Sequence, residues 1–246
     1  QYMRAALHFV DRFVCTSDCT ARDLEAFARQ HGIARIDVRV EPLGADPVAP
    51  ADTAGALPDG LAPRKFVLFV STIEPRKNHA LLHRVWLRLL DQGIPQAAGC
   101  KLVFVGRVGW NMDALVQDLA HNPRLQGNLL HLQDLPDGVL AALYREAAFC
   151  VYPSLYEGFG LPVLEAFSHG RAVIGSTGGA LPEVMRDFGP LLDPEDEEAW
   201  TETMAQWITR PEIVAAHEAR LADFRPTSWP EAARRYFERA AEPFSA

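Results

Sequence analysis

Two glutamates at a spacing that suits a ligand site, Glu157 and Glu165, lie on either side of a turn that contains glycines and opens into a helix. Seven residues separate them, in the run Tyr156-Glu157-Gly158-Phe159-Gly160-Leu161-Pro162-Val163-Leu164-Glu165. Exposed amides at a helix N-terminus attract phosphate, and carboxylates at a fixed offset can accept hydrogen bonds from sugar hydroxyls. The run therefore predicts a nucleotide-sugar site; the alternative is that both glutamates only favour the helix dipole.

Two adjacent cations, Arg76 and Lys77, follow the apolar run Phe66-Val67-Leu68-Phe69-Val70, which is typical of a buried strand. An amphipathic helix is predicted from there to about Leu90. We expect Asn78 to cap this helix, so that both cations lie just ahead of exposed helical amides. A guanidinium can engage two oxygens at once and an ammonium acts as a point charge, so the pair could neutralise a diphosphate without a metal. The alternative is a solvated basic turn.

A second buried strand leads into the run that contains the glutamates. Residues 148–152 are apolar and stop at Pro153, and Ala172-Val173-Ile174-Gly175-Ser176 is typical of the next buried strand. In open α/β sheets the ligand crevice lies beyond the carboxyl ends of the strands. We therefore expect the loop that carries Glu157 to open onto this crevice.

Glycines and a proline between and after the glutamates indicate where a helix lies. Gly158 and Gly160 let the backbone approach a ligand without a Cβ in the way, and Pro162 suits the first position of a helix. Glu165 is then predicted in the first turn, and Gly170 is predicted as the C-terminal cap. These positions predict a helix that starts within the run and ends at Gly170.

The stretch from Phe66 to about Pro194 resembles a known family. It is similar to the nucleotide-sugar-binding half of the retaining glycosyltransferases of family 4, also called group 1, which have the two-lobed GT-B fold. The segments that carry the resemblance, in the family's order, are Ser71-Thr72-Ile73-Glu74-Pro75-Arg76-Lys77-Asn78-His79, Lys101-Leu102-Val103-Phe104-Val105-Gly106-Arg107-Val108-Gly109-Trp110, Leu140-Ala141-Ala142-Leu143-Tyr144, Tyr152-Pro153-Ser154 through Glu165, and Leu181-Pro182-Glu183-Val184. The resemblance implies an α/β fold, a Rossmann-like parallel sheet with helices on both faces, as in the C-terminal half of a GT-B fold.

The resemblance also implies a role for each residue of the site. Arg76 and Lys77 would contact the donor diphosphate and stabilise its charge as it leaves, and Glu165 would accept hydrogen bonds from the ribose hydroxyls. Glu157 would help to hold the transferred sugar and its phosphate, and so would the backbone amides that follow it, those of Gly158, Phe159, Gly160 and Leu161. The catalytic group would consist of Glu157, Arg76 and Lys77.

Two further residues would border the nucleobase. In the family, the loop after the strand that ends at Gly106 and the loop around Leu135 lie beside the base. This implies base contacts for Arg107 and Leu135. A surface charge is an equally good interpretation of Arg107.

Two departures from the family's pattern bear on the donor. Ser71-Thr72 stands where many members have Gly-Arg, so Arg76 would do that arginine's work alone. Gln133 stands where relatives often carry glycine and would narrow or alter the base pocket. The segment Thr72-Ile73-Glu74-Pro75-Arg76-Lys77-Asn78 is similar to that of mannosyltransferases of bacterial surface polysaccharide assembly, which favours GDP-mannose as the donor over UDP-glucose or UDP-N-acetylglucosamine.

Composition excludes several classes of protein. The 246 residues carry a net charge of −8 and no block rich in Lys or Arg, which argues against nucleic-acid binding. Cys100 and Cys150 lie in or beside apolar runs and are expected to be buried, reduced thiols in a reducing compartment, while Cys15 and Cys19 lack partners at metal-ligand spacing. No stretch approaches the roughly 20 apolar residues that span a bilayer, and no signal peptide is visible. We expect a cytoplasmic protein; peripheral association with the inner face of the membrane stays open.

The order of the elements predicts a piece of a larger protein, since the chain opens at Gln1 in helical sequence without an initiator methionine. Strands are predicted over 9–15 and 37–41, and a helix over 20–31. The resemblance assigns these elements to the end of an N-terminal, acceptor-binding lobe. The predicted divisions are a remnant of that lobe over 1–45, a linker over 46–63, the nucleotide-sugar-binding domain over 64–225, and a C-terminal helix over 226–246 that crosses back toward the first lobe.

The residues and the resemblance together predict a hexosyltransferase of bacterial surface polysaccharide or glycan assembly. It would use a nucleotide-diphosphate sugar, retain the anomeric configuration, and need no metal or other cofactor. Its glycan or lipid-linked acceptor would bind through the missing lobe, so this chain alone is expected to bind donor with little or no transfer. Two alternatives are open: a nucleotide-sugar epimerase of the same architecture, and a non-catalytic subunit that binds nucleotide or another protein.

Overall fold

The computed structural model describes residues 2–46 and 55–243 of the chain. Its strands are β1 (Arg12–Cys15), β2 (Asp37–Val40), β3 (Phe66–Val70), β4 (Lys101–Val105), β5 (Leu129–Leu132), β6 (Phe149–Tyr152), β7 (Val173–Ser176) and β8 (Leu191–Leu192). Its α-helices are α1 (Tyr2–Phe9), α2 (Asp18–Gln30), α3 (His79–Asp91), α4 (Ile94–Ala98), α5 (Asp113–His121), α6 (Asp137–Glu146), α7 (Leu161–Ser168), α8 (Leu181–Met185), α9 (Glu197–Thr209), α10 (Pro211–Arg220) and α11 (Trp229–Ala241), with short 3-10 turns at Pro75–Lys77 and Leu221–Asp223. None of these helices is long and apolar enough to cross a bilayer.

A six-stranded parallel sheet forms the centre of the molecule. Its strand order is β5-β4-β3-β6-β7-β8, so the chain runs outward from β3 to β5 and then returns to the other side of β3 at β6. Such a reversal leaves a crevice at the carboxyl ends of the two strands where it occurs. The loops that follow β3 and β6 are the loops that carry Arg76, Lys77 and Glu157.

The strands of this sheet form because their residues are mostly apolar and can be buried on both faces. All residues of β6 and β7 are buried, as are four of the five residues of β3. Parallel strands covered by helices require such continuous runs. Trp86 of α3 and Trp200 of α9 are fully buried in the same core. The predicted α/β fold class is confirmed.

The elements that carry the site lie close to their predicted positions. β3, β6 and β7 fall on the apolar runs from which they were predicted, and α3 ends at Asp91. Gly170 follows the end of α7, and its amide donates to the carbonyl of Phe167 at 2.9 Å. Gly170 therefore ends the helix as predicted.

The strands of the N-terminal segment are shorter than predicted. The strand expected over 9–15 begins only at Arg12, because the hydrogen bonds of α1 continue as far as Val10, whose amide donates to the carbonyl of Ala6 at 3.0 Å. The strand expected over 37–41 is β2, which ends one residue earlier.

The helix predicted over 20–31 starts two residues earlier, at Asp18. The side chain of Ser17 accepts the amide hydrogen of Thr20 at 3.1 Å, which is the contact that an N-cap residue makes. The capping serine, rather than the apolar periodicity, therefore fixes where α2 begins.

β1 and β2 form a separate two-stranded parallel sheet with a small core of its own. α11 packs against both strands. The guanidinium of Arg12 joins these elements, since it donates to Asp37 at 2.7 Å and to the carbonyl of Arg239 at 3.0 Å. The predicted linker over 46–63 falls partly on residues 47–54, which lie outside the described residues, and its described residues contain no helix or strand.

All four cysteines are free thiols. Cys100 and Cys150 are buried, as predicted. Burial raises the pKa of Cys100 to about 12 and raises the pKa of Cys150 as well. Both side chains therefore stay protonated near neutral pH and act as small apolar groups in the core.

One histidine, two residues after Lys77, is enclosed in the core. His79 begins α3 and is fully buried, and its ring centroid lies 4.4 Å from that of Phe69 and 5.0 Å from that of Phe104. Within the described part of the chain, neither ring nitrogen has a hydrogen-bond partner. Burial, with smaller contributions from His131 and Lys77, lowers the pKa of His79 to about 3. The ring is therefore neutral in the folded protein.

Replacing His79 by leucine is expected to make the fold less sensitive to acid. The unfolded chain takes up a proton on this histidine below about pH 6.5 and the folded protein does not, so stability is lost as the pH falls from there toward about 3. The wild type should lose about 1–2 kcal/mol through this residue by pH 5, and His79→Leu should lose none of it. Denaturant unfolding at pH 7 and pH 5 measures the difference. His121→Ala, at an exposed histidine, is the control, and parallel pH profiles for His79→Leu and the wild type would contradict the prediction.

Candidate functional site

An open cleft of about 650 Å³ lies at the carboxyl ends of β3 and β4. Small-molecule sites typically measure roughly 300–1,000 Å³. The cleft is lined by Val70, Ser71, Thr72, Glu74, Arg76, Lys77, Val105, Gly106, Arg107, Asp134, Leu135, Leu140, Pro162 and Glu165. Five of the predicted site residues thus meet at one cleft, although they come from four separate segments: Arg76, Lys77, Arg107, Leu135 and Glu165.

The carboxylate of Glu157 lies between the two predicted cations. It accepts hydrogen bonds from Lys77 Nζ at 2.6 Å, from Arg76 Nη1 at 2.8 Å and from the hydroxyl of Ser154 at 2.7 Å. Glu157 is only 8% exposed. A buried carboxylate stays ionised at little cost only where opposite charges and hydrogen bonds compensate it. The two cations supply that compensation, and they hold the loop after β6 against the loop after β3.

Arg76 is the link between the two loops. Its Nη1 also donates to the carbonyl of Tyr156 at 2.8 Å, and its Nη2 donates to Glu74 at 2.7 Å. Partial burial opposes the charge on Arg76, but its hydrogen bonds and attraction to Glu157 and Glu74 outweigh burial and raise its pKa. The carbonyl of Arg76 accepts the amide hydrogen of Leu155 at 2.9 Å, so backbone and side chain both join the loops.

Hydrogen-bond donors are left over for an anion. The ammonium of Lys77 has three donors and uses one on Glu157; the guanidinium of Arg76 has five and uses three. The side chain of Arg76 is 41% exposed, and both residues line the cleft. Within the part of the chain that the structure describes, no group of three His, Cys, Asp or Glu side chains could hold a metal ion. Among the residues that line the cleft, the cationic side chains are those of this pair and of Arg107.

The backbone of Glu157 is fixed by the turn after β7. The amide of Ala180 donates to the carbonyl of Glu157 at 2.8 Å. Gly179 has a φ of 64°, and a Cβ at this position would lie 2.3 Å from the same carbonyl oxygen. Only glycine fits such a close approach in the left-handed region. The turn after β7 therefore packs against the backbone of the loop after β6, and Gly179 tolerates no side chain at this contact.

Glu165 lies at the cleft but not in the helical position predicted for it. It is the fifth residue of α7 and so belongs to the second turn, because the helix begins at Leu161 and Pro162 is its second residue rather than its first. The hydroxyl of Tyr144 donates to the carboxylate of Glu165 at 2.8 Å. Burial raises the pKa of Glu165, and the bond from Tyr144 opposes that change. The tyrosine thus supports the ionised form of a carboxylate that faces the cleft.

The residues between the two glutamates turn in different directions. Gly160 has a φ of 112° and precedes α7. Pro162 has no amide hydrogen and the amide of Val163 donates to the carbonyl of Gly160 at 3.0 Å, so the amide of Leu161 is the one in the first three residues of α7 without an intrahelical acceptor. The carbonyl of Gly158 points to α2, where it accepts from Ser17 at 2.8 Å. The side chain of Phe159 borders a second cavity, of about 330 Å³, between α2, α8 and residues 223–227. The groups that remain to bind the sugar and its phosphate, as predicted for this loop, are the backbone amides of residues 158–161.

Arg107 and Leu135 border the cleft at its other side. The guanidinium of Arg107 pairs with Asp134 at 2.7 Å at the rim of the cleft, and both side chains are mostly exposed. Leu135 packs partly against the main core. Gln133 is exposed and is not among the residues that line the cleft, and its predicted effect on the base pocket stays a prediction.

We predicted that Asn78 caps α3, but its side chain makes no capping hydrogen bond. Asn78 occupies the N-cap position with a φ of 60°. Its side-chain amide instead donates to the carbonyls of Pro153 at 3.1 Å and Pro194 at 2.9 Å. Because its backbone is in the left-handed region, which asparagine tolerates better than most residues, the side chain is directed away from the helix. Asn78 therefore ties the cation loop to two other loops.

Sequence reasoning missed three residues that support the site. Ser154 bonds Glu157, Glu74 bonds Arg76, and Tyr144 bonds Glu165. The first two lie in segments that carry the family resemblance and within three residues of a predicted site residue, but neither observation assigns them a partner. Tyr144 lies in one of the segments that carry the family resemblance, but nothing in the sequence pairs it with a residue of another helix.

Known proteins match this chain over most of its length. Residues 60–222 match the model of the family described as glycosyl transferases group 1. The serotype-specific mannosyltransferase WbdA of Escherichia coli is 32% identical over 204 residues, which are 77% of this chain and 23% of that protein. The O-antigen chain mannosyltransferase B of Escherichia coli is 40% identical over 140 residues, which are 56% of this chain and 35% of that protein. The chain thus spans about a quarter to a third of the length of these relatives.

A solved structure shares the architecture. The UDP-forming α,α-trehalose-phosphate synthase from Burkholderia xenovorans superposes with a TM-score of 0.80 at 17% identity, over 99% of this chain and 64% of that one. A likeness at this identity concerns the fold alone. It agrees with the GT-B architecture predicted for the chain.

Replacing Glu157 by glutamine is expected to destabilise the fold by about 2–4 kcal/mol, because two partly buried cations lose their counter-charge. Adding Lys77→Met to this variant should recover part of the loss. A double-mutant cycle measured by denaturant unfolding should give a coupling free energy of at least about 1 kcal/mol.

The control cycle uses the exposed pair at the rim of the same cleft. Arg107→Met and Asp134→Asn remove an ion pair of similar length but high exposure. Their coupling should stay below about 0.5 kcal/mol. Equal coupling energies for the two pairs would show that burial does not strengthen the bond between Glu157 and Lys77.

Proposed function

Because the chain belongs to the glycosyl transferases of group 1, we propose that it is the donor-binding half of a hexosyltransferase that uses a nucleotide-diphosphate sugar. The observation that carries the proposal is the chemistry of one cleft. Arg76 and Lys77 supply cationic donors to it, and Glu165 supplies a carboxylate. Cationic donors can bind a diphosphate, and a carboxylate can accept hydrogen bonds from the two hydroxyls of a ribose.

The donor lies across the cleft in the proposed complex. Its diphosphate binds the unused donors of Arg76 and Lys77, which then stabilise the charge that develops on the leaving group. The ribose hydroxyls donate to Glu165. The nucleobase lies toward Arg107 and Leu135, at the opposite side of the cleft from the transferred sugar.

Glu157 has a double role in this proposal. Its hydrogen bonds from Arg76 and Lys77 hold the cations in place, and a third comes from Ser154, whereas a carboxylate has about four acceptor positions. One position is left for a hydroxyl of the transferred sugar. The backbone amides of Gly158, Phe159, Gly160 and Leu161 assist by binding the sugar and the phosphate next to it.

We propose GDP-mannose as the donor and retention of the anomeric configuration. Support comes from relatives whose names describe mannosyltransferases, one of them of the O-antigen chain. The acceptor in the proposal is a glycan or a lipid-linked glycan of bacterial surface polysaccharide assembly, bound through a further lobe. The proposed location is the cytoplasm, with peripheral contact at the inner face of the membrane.

Transfer without a metal follows from the same charges in this proposal. Two cations neutralise a diphosphate in the way that a divalent ion does in other sites. The family match favours transfer over the two alternatives, an epimerase and a non-catalytic subunit.

GDP is expected to raise the melting temperature of the chain in a concentration-dependent way, and more than UDP or ADP does. A ligand that binds only the folded state stabilises it by about 2.7 kcal/mol at one hundred times its dissociation constant.

Lys77→Met should weaken GDP binding by roughly tenfold, since it removes a charge-assisted bond to the diphosphate. Arg84→Ala, which removes an exposed arginine that pairs with Glu197, is the control. Addition of EDTA should change nothing. No shift with any nucleotide would contradict the proposed function, and equal shifts would contradict the preference for guanine.

Glu165→Gln should weaken GDP binding at neutral pH by roughly fivefold to tenfold, because the ribose loses a charged acceptor. The dissociation constant of Glu165→Gln for GDP, divided by that of the wild type, should fall toward one as the pH drops. The reason is that burial raises the pKa of Glu165, so the wild type loses its carboxylate charge at a higher pH than an exposed glutamate does. Calorimetric titrations from pH 7.5 to pH 5 give this ratio, in which protonation of the nucleotide cancels. A ratio that does not change with pH would rule out a charged Glu165 as the ribose acceptor.

A further inference from the structure

The N-terminus of α2 touches the loop that carries Glu157. The carbonyl of Gly158 accepts hydrogen bonds from the hydroxyl of Ser17 at 2.8 Å and from that of Thr20 at 3.1 Å. Ser17 is 2% exposed. A carbonyl oxygen has two lone pairs, and these two hydroxyls are the nearest of three around it, since the hydroxyl of Thr16 lies 3.4 Å away.

α2 is itself anchored by α8. The carboxylate of Glu183 accepts the amide hydrogens of Asp18 at 2.8 Å and Cys19 at 2.7 Å. Both bonds are charge-assisted, and a carboxylate at a helix N-terminus is favoured by the helix dipole. The two helices therefore hold a fixed relative position at the point where α2 meets Gly158.

Further hydrogen bonds connect Glu157 and Tyr156 to α8 and α2. The backbone carbonyl of Glu157 is bound by the amide of Ala180, which lies three residues before Glu183 in the chain. The hydroxyl of Tyr156, on the other side of Glu157, donates to Asp23 of α2. Three consecutive residues of the loop are thus each bonded to α2 or to the start of α8.

We propose that three residues outside the cleft, Ser17, Thr20 and Glu183, are positioning residues for the donor site. They act through the carbonyl of Gly158, which sets the direction of the Glu157 carboxylate toward the two cations. The proposal rests on the proposed function of the cleft and extends it: the affinity for the donor depends on a segment of the N-terminal part of the chain that does not line the cleft.

A merely structural cap would behave differently from a positioning contact. Loss of a cap lowers the stability of the fold and leaves the native donor site unchanged. Loss of a positioning contact frees the loop of residues 156–161 in the folded protein, which changes both ligand affinity and amide exchange in that loop.

The test uses two variants of the whole chain and matched controls. Ser17→Ala combined with Thr20→Val removes both hydroxyls with little change in shape, and Glu183→Ala removes the anchor of α2. Ser228→Ala is the control, because Ser228 caps α11 through the amide of Glu231 just as Ser17 caps α2. The second control is Thr20→Ser alone, which keeps the hydroxyl.

Two measurements are made on each protein, GDP affinity by calorimetry and amide hydrogen exchange of residues 156–161 by mass spectrometry without ligand. In the double variant and in Glu183→Ala the dissociation constant should rise roughly threefold to tenfold and exchange in the loop should quicken. Ser228→Ala should lower the melting temperature with no change in either quantity. Thr20→Ser should match the wild type.

Unchanged affinity and unchanged loop exchange in the double variant, with a lower melting temperature like that of Ser228→Ala, would overturn the proposal and leave Ser17 as an ordinary helix cap. If the wild type binds none of the nucleotides, the proposed function fails instead. The exchange measurement still decides in that case whether α2 positions the loop.

Discussion

The whole site depends on one buried carboxylate and its two cations. Glu157 is nearly enclosed, and leaving its charge uncompensated in that position would cost several kilocalories per mole. Lys77 and Arg76 remove this cost only if the loops after β3 and β6 stay within hydrogen-bonding distance of each other. The same pair must keep donors free for a ligand, and both conditions are met because each cation has more donors than Glu157 and its neighbours use.

The topology of the sheet makes this meeting possible. β3 and β6 are neighbours in the sheet although about eighty residues separate them in sequence, because the chain reverses direction across the sheet between β5 and β6. Strand pairing therefore brings together two loops that are far apart in sequence. Gly179 in the turn after β7 then lets a third loop approach the backbone of Glu157. Charge compensation fixes the side chain, and the turn fixes the main chain.

Sequence alone could predict the parts whose cause is local. Continuous apolar runs predicted β3, β6 and β7, because a parallel strand buried on both faces needs them. The residue types of Arg76, Lys77 and Glu157 predicted a charged ligand site, but not that Glu157 would pair with both cations. What could not be predicted depends on distance in space. The partners Ser154 and Tyr144 carry no mark of their role, and the side chain of Asn78 bonds distant carbonyls instead of the helix it precedes. The prediction that Glu165 lies in the first turn of α7 was wrong, because the helix starts at Leu161, one residue before Pro162.

Within the described residues, the part of the molecule that contains the small sheet contacts the part that contains the large sheet at several places, and the contacts that α2 makes concern the site. α11 packs on the small sheet, and the segments that connect the two parts run side by side where the amide of Ala45 donates to the carbonyl of Thr227 at 2.9 Å. Neither contact includes a residue that lines the cleft. The contact of α2 with Gly158 differs, because it ends on the main chain next to Glu157. Any shift of the small sheet relative to the large one must therefore either break that contact or move the carboxylate that holds the cations.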